Sequence, residues 1–408
     1  MIFGMHVLFL SLVGLFAMYL LLLSVVSLFS RKRSSFLTSS NRRFSIVVPA
    51  HNEELSISKT LSSLLAIDYP RNQFEIVVVA DNCTDRTAAI ARSAGAIVME
   101  RTDKNNRGKG FALRWCFDEF VQSSSSYDAV VVIDADSVAS QNLLMVLNYE
   151  LEKGFKVIQI SDLVAPQPGY WSAEATRLGF FLYNYVRPLA RKVLGWSAGL
   201  RGNGMCFAID VLRSVPWEAY SRAEDLEYGL LLLTRGYRIQ FAPEAVVLAT
   251  MPANSDNAKS QRARWEGGRL PLIRRFAPVL IREAVRQRSL ALIDGLIDLV
   301  TPALMNILFI AGFMAILSFF LGLVGLEGMY TFAICWSLVI TAALLHMVVG
   351  VTAGDDPDLI KLILYVPRYA VWKMALYTRL ALSKSKREWV RTTREPASSN
   401  GMSQEDKD

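Results

Sequence analysis

Apolar residues form three long uncharged runs near the two ends of the chain, and between them short apolar stretches alternate with polar ones. The runs occupy 6–30, 299–326 and 328–354 and contain no Lys, Arg, Asp or Glu. Each is longer than the roughly 20 residues that a helix needs to cross the hydrocarbon core of a bilayer. We therefore predict three transmembrane helices. A secretory signal peptide is the alternative for the first run, but the run is too long and no basic residue precedes it.

The region between the first two runs alternates between strand and helix patterns. Short stretches of β-branched and aromatic residues predict strands at 44–49, 74–80, 96–99 and 130–133. Apolar residues at helical spacing, beginning with Ile57, Leu61 and Leu64, predict helices between these strands. Such alternation is typical of an α/β fold with an open, mostly parallel sheet flanked by helices.

Acidic residues follow several of the predicted strands. Asp134 and Asp136 come directly after the apolar stretch 129–133, while Glu53 and Asp81 follow the first two strands. Because ligands of open α/β sheets collect at the carboxyl ends of the strands, we expect these acids to line one site. Paired carboxylates suit Mg²⁺ or Mn²⁺ shared with a phosphate ligand. The alternative is that Asp136 caps the helix predicted near 142–152 or closes a turn.

Two common nucleotide-binding patterns are absent. No G-x-G-x-x-G follows the first strand and no G-x-x-x-x-G-K-[ST] occurs in the sequence, which argues against dinucleotide dehydrogenases and P-loop nucleotidases. Lys109 instead lies between two glycines in the segment 107–110 (RGKG). Lys109 is a candidate to contact a phosphate, and the alternative is a basic loop that caps a helix.

Further polar segments precede the second apolar run. The segment 202–204 (GNG) permits close backbone approach, and the segment 223–225 (AED) places two acids at the start of a predicted helix. Those acids either serve a site or complement the helix dipole. In 261–265 (QRARW), the Gln, the second Arg and the Trp share one helical face, either in a site or on a solvated basic helix. Residues 269–288 mix aliphatic residues with repeated Arg, which predicts a helix on the membrane surface.

The charge distribution favours membrane lipids as partners. The 408 residues carry a formal net charge of +7, and basic residues gather at 31–33 and 384–394. Their position beside membrane segments favours anionic lipid head groups and not nucleic acid. Because the basic residues follow the first span, we expect the amino terminus outside and the central region in the cytoplasm, at the inner (plasma) membrane. The four cysteines lack C-x-x-C spacing, so neither a zinc site nor a disulfide framework is predicted.

Five segments, taken in this order, resemble the family 2 inverting glycosyltransferases. They are 48–54 (VPAHNEE), 79–85 (VADNCTD), 134–136 (DAD), 223–225 (AED) and 261–265 (QRARW). The resemblance covers about residues 44–270 and is closer to the membrane-embedded branch with cellulose, chitin, hyaluronan and poly-N-acetylglucosamine synthases. It implies a GT-A fold and a divalent cation, Mg²⁺ or Mn²⁺.

The resemblance also implies a role for each matching residue. Asp225 would be the catalytic base. Residues implied for the donor are Glu53, Asp81, Lys109, Asp134, Gln261 and Arg264. Residues implied for the acceptor are Gly204, Glu224 and Trp265. Asp134 and Asp136 would hold the metal. The sequence departs from the family patterns at Ala80 and Cys83, where D-D-x-S-x-D has Asp and Ser, and at Ala223, where T-E-D has Thr.

The expected reaction moves a sugar from a nucleotide sugar, namely a UDP-sugar, to a growing β-linked polysaccharide at the cytoplasmic face. A metal and an Arg stabilise the leaving diphosphate, and a carboxylate accepts the proton of the acceptor hydroxyl. The alternative acceptor is a membrane lipid that receives one sugar. A membrane nucleotidyl- or phosphotransferase would give 261–265 no role, and a sugar-binding scaffold would not need acids at three strand ends. Three spans are few to enclose a polymer path, which favours a homo-oligomer or a partner membrane subunit.

These patterns divide the chain into seven expected segments. They are a transmembrane helix (1–30), a linker (31–43), a glycosyltransferase domain (44–268), an interfacial amphipathic helix (269–294), two transmembrane helices (295–354), an interfacial helix (355–383) and a cytoplasmic tail (384–408). The second interfacial helix is predicted because Pro367 and four basic residues interrupt the apolar stretch 359–382.

Overall fold

The computed structural model describes residues 2–31, 42–122, 127–251 and 255–382, and within α-helical residues 255–267 it describes the backbone alone. The strands are β1 (Phe44–Ala50), β2 (Phe74–Asp81), β3 (Ile97–Arg101), β4 (Ala129–Val132), β5 (Ser137–Ala139), β6 (Val157–Val164), β7 (Met205–Ala208) and β8 (Ile239–Ala249). They form one sheet in the order β3-β2-β1-β4-β7-β6-β8-β5.

The helices surround this sheet and continue beyond it. They are α1 (Ile2–Ser27), α2 (Ile57–Leu65), α3 (Thr87–Ser93), α4 (Lys109–Gln122), α5 (Leu143–Glu152), α6 (Trp171–Phe180), α7 (Arg187–Leu194), α8 (Ile209–Ser214), α9 (Glu224–Thr234), α10 (Ser255–Gln287), α11 (Leu290–Val300), α12 (Leu304–Leu323), α13 (Met329–Val351), α14 (Leu359–Leu362) and α15 (Val366–Leu382). A π-helix, Phe181–Val186, joins α6 to α7.

The predicted α/β class is confirmed, and the sheet is mixed. β1 pairs in parallel with β2 and β4, and β2 with β3. β7 then enters antiparallel between β4 and β6, whereas β6 and β8 are parallel. The first four strands are therefore parallel as expected, and the antiparallel pairings come from the later strands.

Alternating side chains of the central strands form two apolar layers. Val47 and Val77 face a cluster that includes Phe117 of α4. The neighbouring Ile46 and Val48 face the opposite cluster, which includes helices α2 and α5. Successive side chains of a strand point to opposite faces, so a strand buried on both sides is apolar throughout. Because the strands are buried on both sides, their ends have defined positions, and the acids that follow them do too.

Three helices are long and apolar enough to cross a membrane: His6–Ser27 within α1, Leu304–Leu323 and Met329–Val351. This agrees with the three predicted spans. They pack together around Ala17 and Trp336, both fully buried. Their orientation relative to a bilayer stays a prediction.

Helix α10 begins well before the predicted interfacial segment 269–294 and ends within it. Its residues Leu272, Phe276 and Leu280 are buried against α9 and α11. Its other face leaves Leu270 and Val285 exposed. The helix is amphipathic, and its buried face packs on protein.

Candidate active site

A cavity of about 1540 Å³ opens at the carboxyl ends of β1, β2 and β4. Its wall contains acids from the strand ends, acids from the start of α9, and residues from helices α12, α13 and α15. The predicted site residues that line it are Glu53, Asp81, Lys109, Asp134, Asp136, Glu224 and Asp225. The fold thus gathers into one cavity residues that lie far apart in the sequence.

Asp134 and Asp136 lie in a turn between β4 and β5. Because β5 follows at Ser137 and the next helix begins at Leu143, Asp136 does not cap that helix, and this alternative is wrong. The turn alternative agrees with the structure, since the Ser137 N–H donates to the Asp134 carbonyl at 3.2 Å. The backbone N–H of Asp134 donates to Asn203 Oδ1 at 3.0 Å. Asp134 is therefore held at the cavity wall by its backbone, and Asp136 lies two residues along the same turn.

Lys109 lies at the start of α4 and contacts the first of these acids. Its Nζ donates to Asp134 Oδ1 and to the carbonyl oxygen of Gly202, both at 2.5 Å. Burial opposes the charge of Lys109, but Asp134, Glu224 and Asp225 outweigh burial and raise the lysine pKa. One cation therefore lies between the acids of the β4 turn and those of α9.

Among the described residues, no group of three or more His, Cys, Asp or Glu side chains is arranged to hold a metal ion. Asp134 and Asp136 supply two carboxylates next to an open cavity. Mg²⁺ and Mn²⁺ commonly bind one or two carboxylates and complete their coordination with phosphate oxygens and water. The pair therefore fits a cation that is shared with a bound diphosphate.

Glu224 and Asp225 form the first turn of α9 and face the same cavity. Burial and the neighbouring Asp225 raise the pKa of Glu224 to about 7. Burial also raises the pKa of Asp225, against the effect of backbone N–H groups, Lys109 and Arg201. Gly202, at φ +88, lies against Asp225, since a Cβ there would be 3.3 Å from Asp225 Oδ2. The acids complement the helix dipole and also line the site, so the two interpretations of this segment are compatible.

Asp81 and Glu53 line the part of the cavity next to β1 and β2. Asp81 is buried, and its Oδ1 accepts from Arg101 Nη1 at 2.6 Å and from Asn82 Nδ2 at 2.9 Å. Glu53 Oε2 accepts from the Ser56 hydroxyl at 2.8 Å. Both acids are thus positioned by neighbouring side chains.

Gly204 lies behind the cavity wall, outside its lining residues. It has φ +70, and a Cβ at this position would overlap Ile160 Cγ1. The backbone conformation and the close contact both require glycine. The side chains of Gln261, Arg264 and Trp265 lie outside the described part, although their backbone belongs to α10.

Several other residues in the cavity wall were not predicted, including Asp162 on β6. Burial and the nearby Asp134 raise the pKa of Asp162. Asn184 Nδ2 donates to Asp162 Oδ2 at 3.1 Å, and Asn203 Nδ2 donates to Asp162 Oδ1 at 3.3 Å. The one available indication was a run of polar residues inside an otherwise apolar strand.

Comparison with known proteins identifies the domain around this cavity. Residues 41–268 match the family model described as "Glycosyltransferase like family 2". The chain is 26% identical over 247 residues to a probable glycosyltransferase, YdaM, of Bacillus subtilis, and the match covers 57% of each protein. It is 28% identical over 239 residues to the beta-monoglucosyldiacylglycerol synthase of a Synechocystis species, covering 55% of this chain and 47% of the relative.

A third relative is the poly-beta-1,6-N-acetyl-D-glucosamine synthase of Staphylococcus aureus, 25% identical over 240 residues, with 56% of this chain and 55% of the relative covered. The chain thus matches about half the length of these relatives. Among solved structures, the mannosyltransferase PcManGT of Pyrobaculum calidifontis, in complex with GDP-Man and Mn²⁺, gives a TM-score of 0.50 at 17% identity. That likeness covers 84% of this chain and 98% of the other, and it concerns the fold.

Proposed function

The chain belongs to glycosyltransferase family 2, and from this premise we propose that it is a metal-dependent inverting glycosyltransferase acting at a membrane. The donor is a nucleotide sugar, namely a UDP-sugar. The observation that supports this proposal best is one cavity that holds two acids after β4, two acids at the start of α9, and Lys109 between them. Leaving-group stabilisation and proton acceptance need these two sets of groups on opposite sides of a sugar.

Each set has a distinct role in the reaction. Asp134 and Asp136 would hold Mg²⁺ or Mn²⁺, which would supply positive charge to the leaving diphosphate. Lys109 lies beside the same diphosphate, and Asp81 and Glu53 line the nucleotide end of the cavity. Gln261 and Arg264 belong to the diphosphate site and Trp265 to the acceptor site, as the family resemblance implies.

Asp225 accepts the proton of the acceptor hydroxyl. The hydroxyl oxygen bonds to the anomeric carbon while the bond from that carbon to the diphosphate oxygen breaks. Because attack occurs on the face opposite the leaving group, an α-linked donor gives a β-linked product. Glu224 lies next to the base on α9 and contributes to the acceptor side, and Gly204 fixes the backbone beneath that side.

Two acceptors are compatible with this chemistry. The QRARW segment favours a growing polysaccharide, and then a homo-oligomer or partner membrane subunit completes the path across the bilayer. The cavity favours a membrane lipid, because its wall includes Leu304 and Met305 of α12 and Met347 of α13. In both cases the domain 44–268 works on the cytoplasmic face, the segments 269–294 and 355–383 lie at the membrane surface, and the acceptor reaches the site from the membrane side.

The proposal is tested with the full-length protein in lipid nanodiscs, supplied with a panel of labelled UDP-sugars and Mn²⁺. With one of these UDP-sugars we expect release of UDP and incorporation of the labelled sugar into a product, without release of pyrophosphate. Asp225→Asn keeps the shape of the side chain and is expected to retain Mn²⁺-dependent UDP binding while transfer is lost. Glu218→Gln, an exposed acid outside the cavity wall, is the matched control. Pyrophosphate release, or full transfer by Asp225→Asn, would contradict the assignment.

A further inference from the structure

Three arginines from separate elements surround one aromatic ring in the cavity wall. The ring is that of Tyr183, on the π-helix between α6 and α7. The guanidinium carbons of Arg201, Arg187 and Arg269 lie 4.2, 4.8 and 6.0 Å from its centroid. They come from the loop before β7, from α7 and from α10. We call Tyr183, Arg187, Arg201 and Arg269 the arginine cluster. Short π-helical segments are frequent at functional sites.

The carboxylates near the cluster do not balance its charge. Asp298 accepts from Arg187 at 3.3 Å and lies 3.9 Å from Arg201. Asp298 also pairs with Arg191 at 3.0 Å, and Arg191 pairs with Asp294 at 2.7 Å. Arg269 Nη2 donates to the backbone carbonyl of Asp298 at 2.5 Å. Counting Asp294, Asp298 and also Asp225, on which Arg201 acts electrostatically, four guanidinium groups face three carboxylates, which leaves one positive charge in excess.

Three donors of the cluster lack an acceptor. The Nε atoms of Arg187, Arg201 and Arg269 are buried and have no hydrogen-bond partner among the described residues. The Arg187 and Arg201 residues are only 4% and 8% exposed. A buried unsatisfied donor costs about 1–3 kcal/mol, and more when it is charged. Three such donors around one ring indicate a site for an anion that is not part of the protein.

The cavity connects this cluster to both the predicted base and the spans. All four cluster residues line it, whereas Asp294 and Asp298 do not. Arg201 is next to Gly202, which contacts Asp225, so the anion site lies beside the proposed base. On the other side, the cavity reaches Leu304, Met305 and Met347, and these apolar walls suit hydrocarbon.

We propose that the arginine cluster binds the phosphate of a phosphate-bearing membrane lipid, whose free hydroxyl is the acceptor and whose acyl chains lie against α12 and α13. This inference rests on the proposed glycosyl transfer and names its acceptor class. The lipid hydroxyl loses its proton to Asp225 and bonds to the anomeric carbon as UDP leaves. The lipid phosphate keeps its bonds throughout.

Binding is measured by calorimetry on the full-length protein in detergent with Mn²⁺ and UDP present. The probes are dioctanoyl phosphatidylglycerol, the uncharged dioctanoylglycerol, and inorganic phosphate. We expect phosphatidylglycerol to bind at least tenfold more tightly than either of the others, since it combines the charge with the chains. Equal affinity for the two lipids would overturn the role of the cluster. If inorganic phosphate bound as tightly as phosphatidylglycerol, the cluster would be a site for the free anion, and the proposal that it binds a lipid would be overturned.

Substitutions on α10 locate the site. Arg269→Gln removes one guanidinium and is expected to weaken phosphatidylglycerol binding at least tenfold, while Arg269→Lys, which keeps the charge without the planar donors, loses less. Arg282→Gln, on the same helix and 73% exposed at the side chain, is the control and is expected to bind as the unsubstituted protein does. An equal loss in Arg282→Gln would refute the site.

Binding of UDP with Mn²⁺ separates this inference from the proposed function. We expect Arg269→Gln to bind UDP unchanged. If Arg269→Gln weakens UDP and lipid binding by the same factor, the cluster belongs to the donor site and the inference is wrong. If the unsubstituted protein binds UDP with Mn²⁺ but shows no preference for phosphatidylglycerol over the other probes, only the inference fails. If it binds no nucleotide, the proposed function fails.

Discussion

Lys109 contacts Asp134, a carboxylate that is predicted to bind a metal ion. The lysine Nζ lies 2.5 Å from Asp134 Oδ1, and Asp136 lies on the same turn. A bound diphosphate would offer the lysine a phosphate oxygen as an alternative partner, which would leave Asp134 available to a metal ion. Lysine is a common partner of phosphate because its ammonium is a compact charge with three donors.

The first prediction concerns the two carboxylates of this turn. Asp134→Ala and Asp136→Ala are each expected to lower turnover by roughly 10²–10³-fold or more, since the charge that stabilises the leaving diphosphate is lost. Both should also abolish the Mn²⁺ dependence of UDP binding, measured by calorimetry. Asp128→Ala, in a loop before β4 and away from the cavity wall, is the control. Unchanged metal-dependent UDP binding in either variant would exclude that residue as a ligand.

The second prediction concerns the pH dependence of transfer. Burial raises the pKa of Asp225, and Glu224 has a pKa of about 7 beside it. A base works when deprotonated, so kcat/KM should rise with pH through the pKa of Asp225. The charge of Asp225 raises the pKa of Glu224, whereas Glu224 is not among the causes of the Asp225 shift, so Asp225 loses its proton first, while Glu224 is still neutral. Glu224→Gln then replaces one neutral group with another, and the rising limb of the kcat/KM profile should stay in place.

A rising limb that moves to lower pH in Glu224→Gln would show that Glu224 ionises before Asp225 and would contradict this order. Glu218→Gln supplies the reference, because it removes an exposed carboxyl outside the cavity wall. Mn²⁺-dependent UDP binding by Glu224→Gln confirms that the variant is folded.

At the scale of elements, the position of α4 decides where Lys109 lies. Gly110, the second residue of α4, packs against the loop before α9, and a Cβ there would overlap the carbonyl oxygen of Ala219. Phe111 stacks on Tyr220 of the same loop at 4.4 Å between centroids. The helix start and the acids of α9 are therefore fixed relative to each other by direct contact.

The third prediction follows from this contact. Gly110→Ala should displace the start of α4, destabilise the protein by about 1–3 kcal/mol, and lower transfer by moving Lys109. Gly179→Ala, inside α6, has nothing within 4 Å of the added carbon and is the matched control. Thermal unfolding followed by intrinsic fluorescence should show a lower Tm for Gly110→Ala alone. An unchanged Tm would mean that the loop before α9 accommodates the added methyl group without loss of stability.

The sequence predicted strands well where the buried residues are apolar and poorly where they are polar. Strands β1, β2 and β4 are mostly apolar, so the pattern located them to within a few residues. β6 contains Gln159, Ser161 and Asp162, all buried, and these are satisfied by partners distant in sequence. Gln159 Nε2, for example, donates to the Asn203 carbonyl at 2.7 Å. A local pattern carries no information about such partners, and β7 has only four residues.

The same distinction holds for the site. The acids after the strands were predictable, because the carboxyl ends of parallel strands meet at one edge of a sheet. The arginine cluster was not, since its members come from the π-helix, α7, the loop before β7 and α10, and only the tertiary fold brings them together.

At the scale of the whole molecule, buried polar contacts join the sheet domain to α11 and to the apolar helix α1. Arg191 of α7 donates to Asp294 of α11 and to the Tyr19 hydroxyl of α1, both at 2.7 Å. Tyr19 in turn donates to Asp294 at 2.6 Å. Removing one partner of a buried ion pair leaves an uncompensated charge. The cavity is therefore held in a defined position against the apolar helices.

The fourth prediction concerns what the molecule makes. The cavity extends from the acids of the site to α12 and α13, and this favours an acceptor that stays in the membrane and receives one sugar. A growing polysaccharide would need a polar path across the bilayer, shielded from lipid, and the part of the chain that the structure describes contains three helices fit to span. With labelled UDP-sugar and nanodiscs that contain phosphatidylglycerol, we expect the label in one organic-extractable species. Thin-layer chromatography and gel electrophoresis size the products, with Asp225→Asn as the inactive control. A ladder or a high-mass polymer would favour the polysaccharide, and oligomerisation or a partner subunit would then have to supply the missing helices.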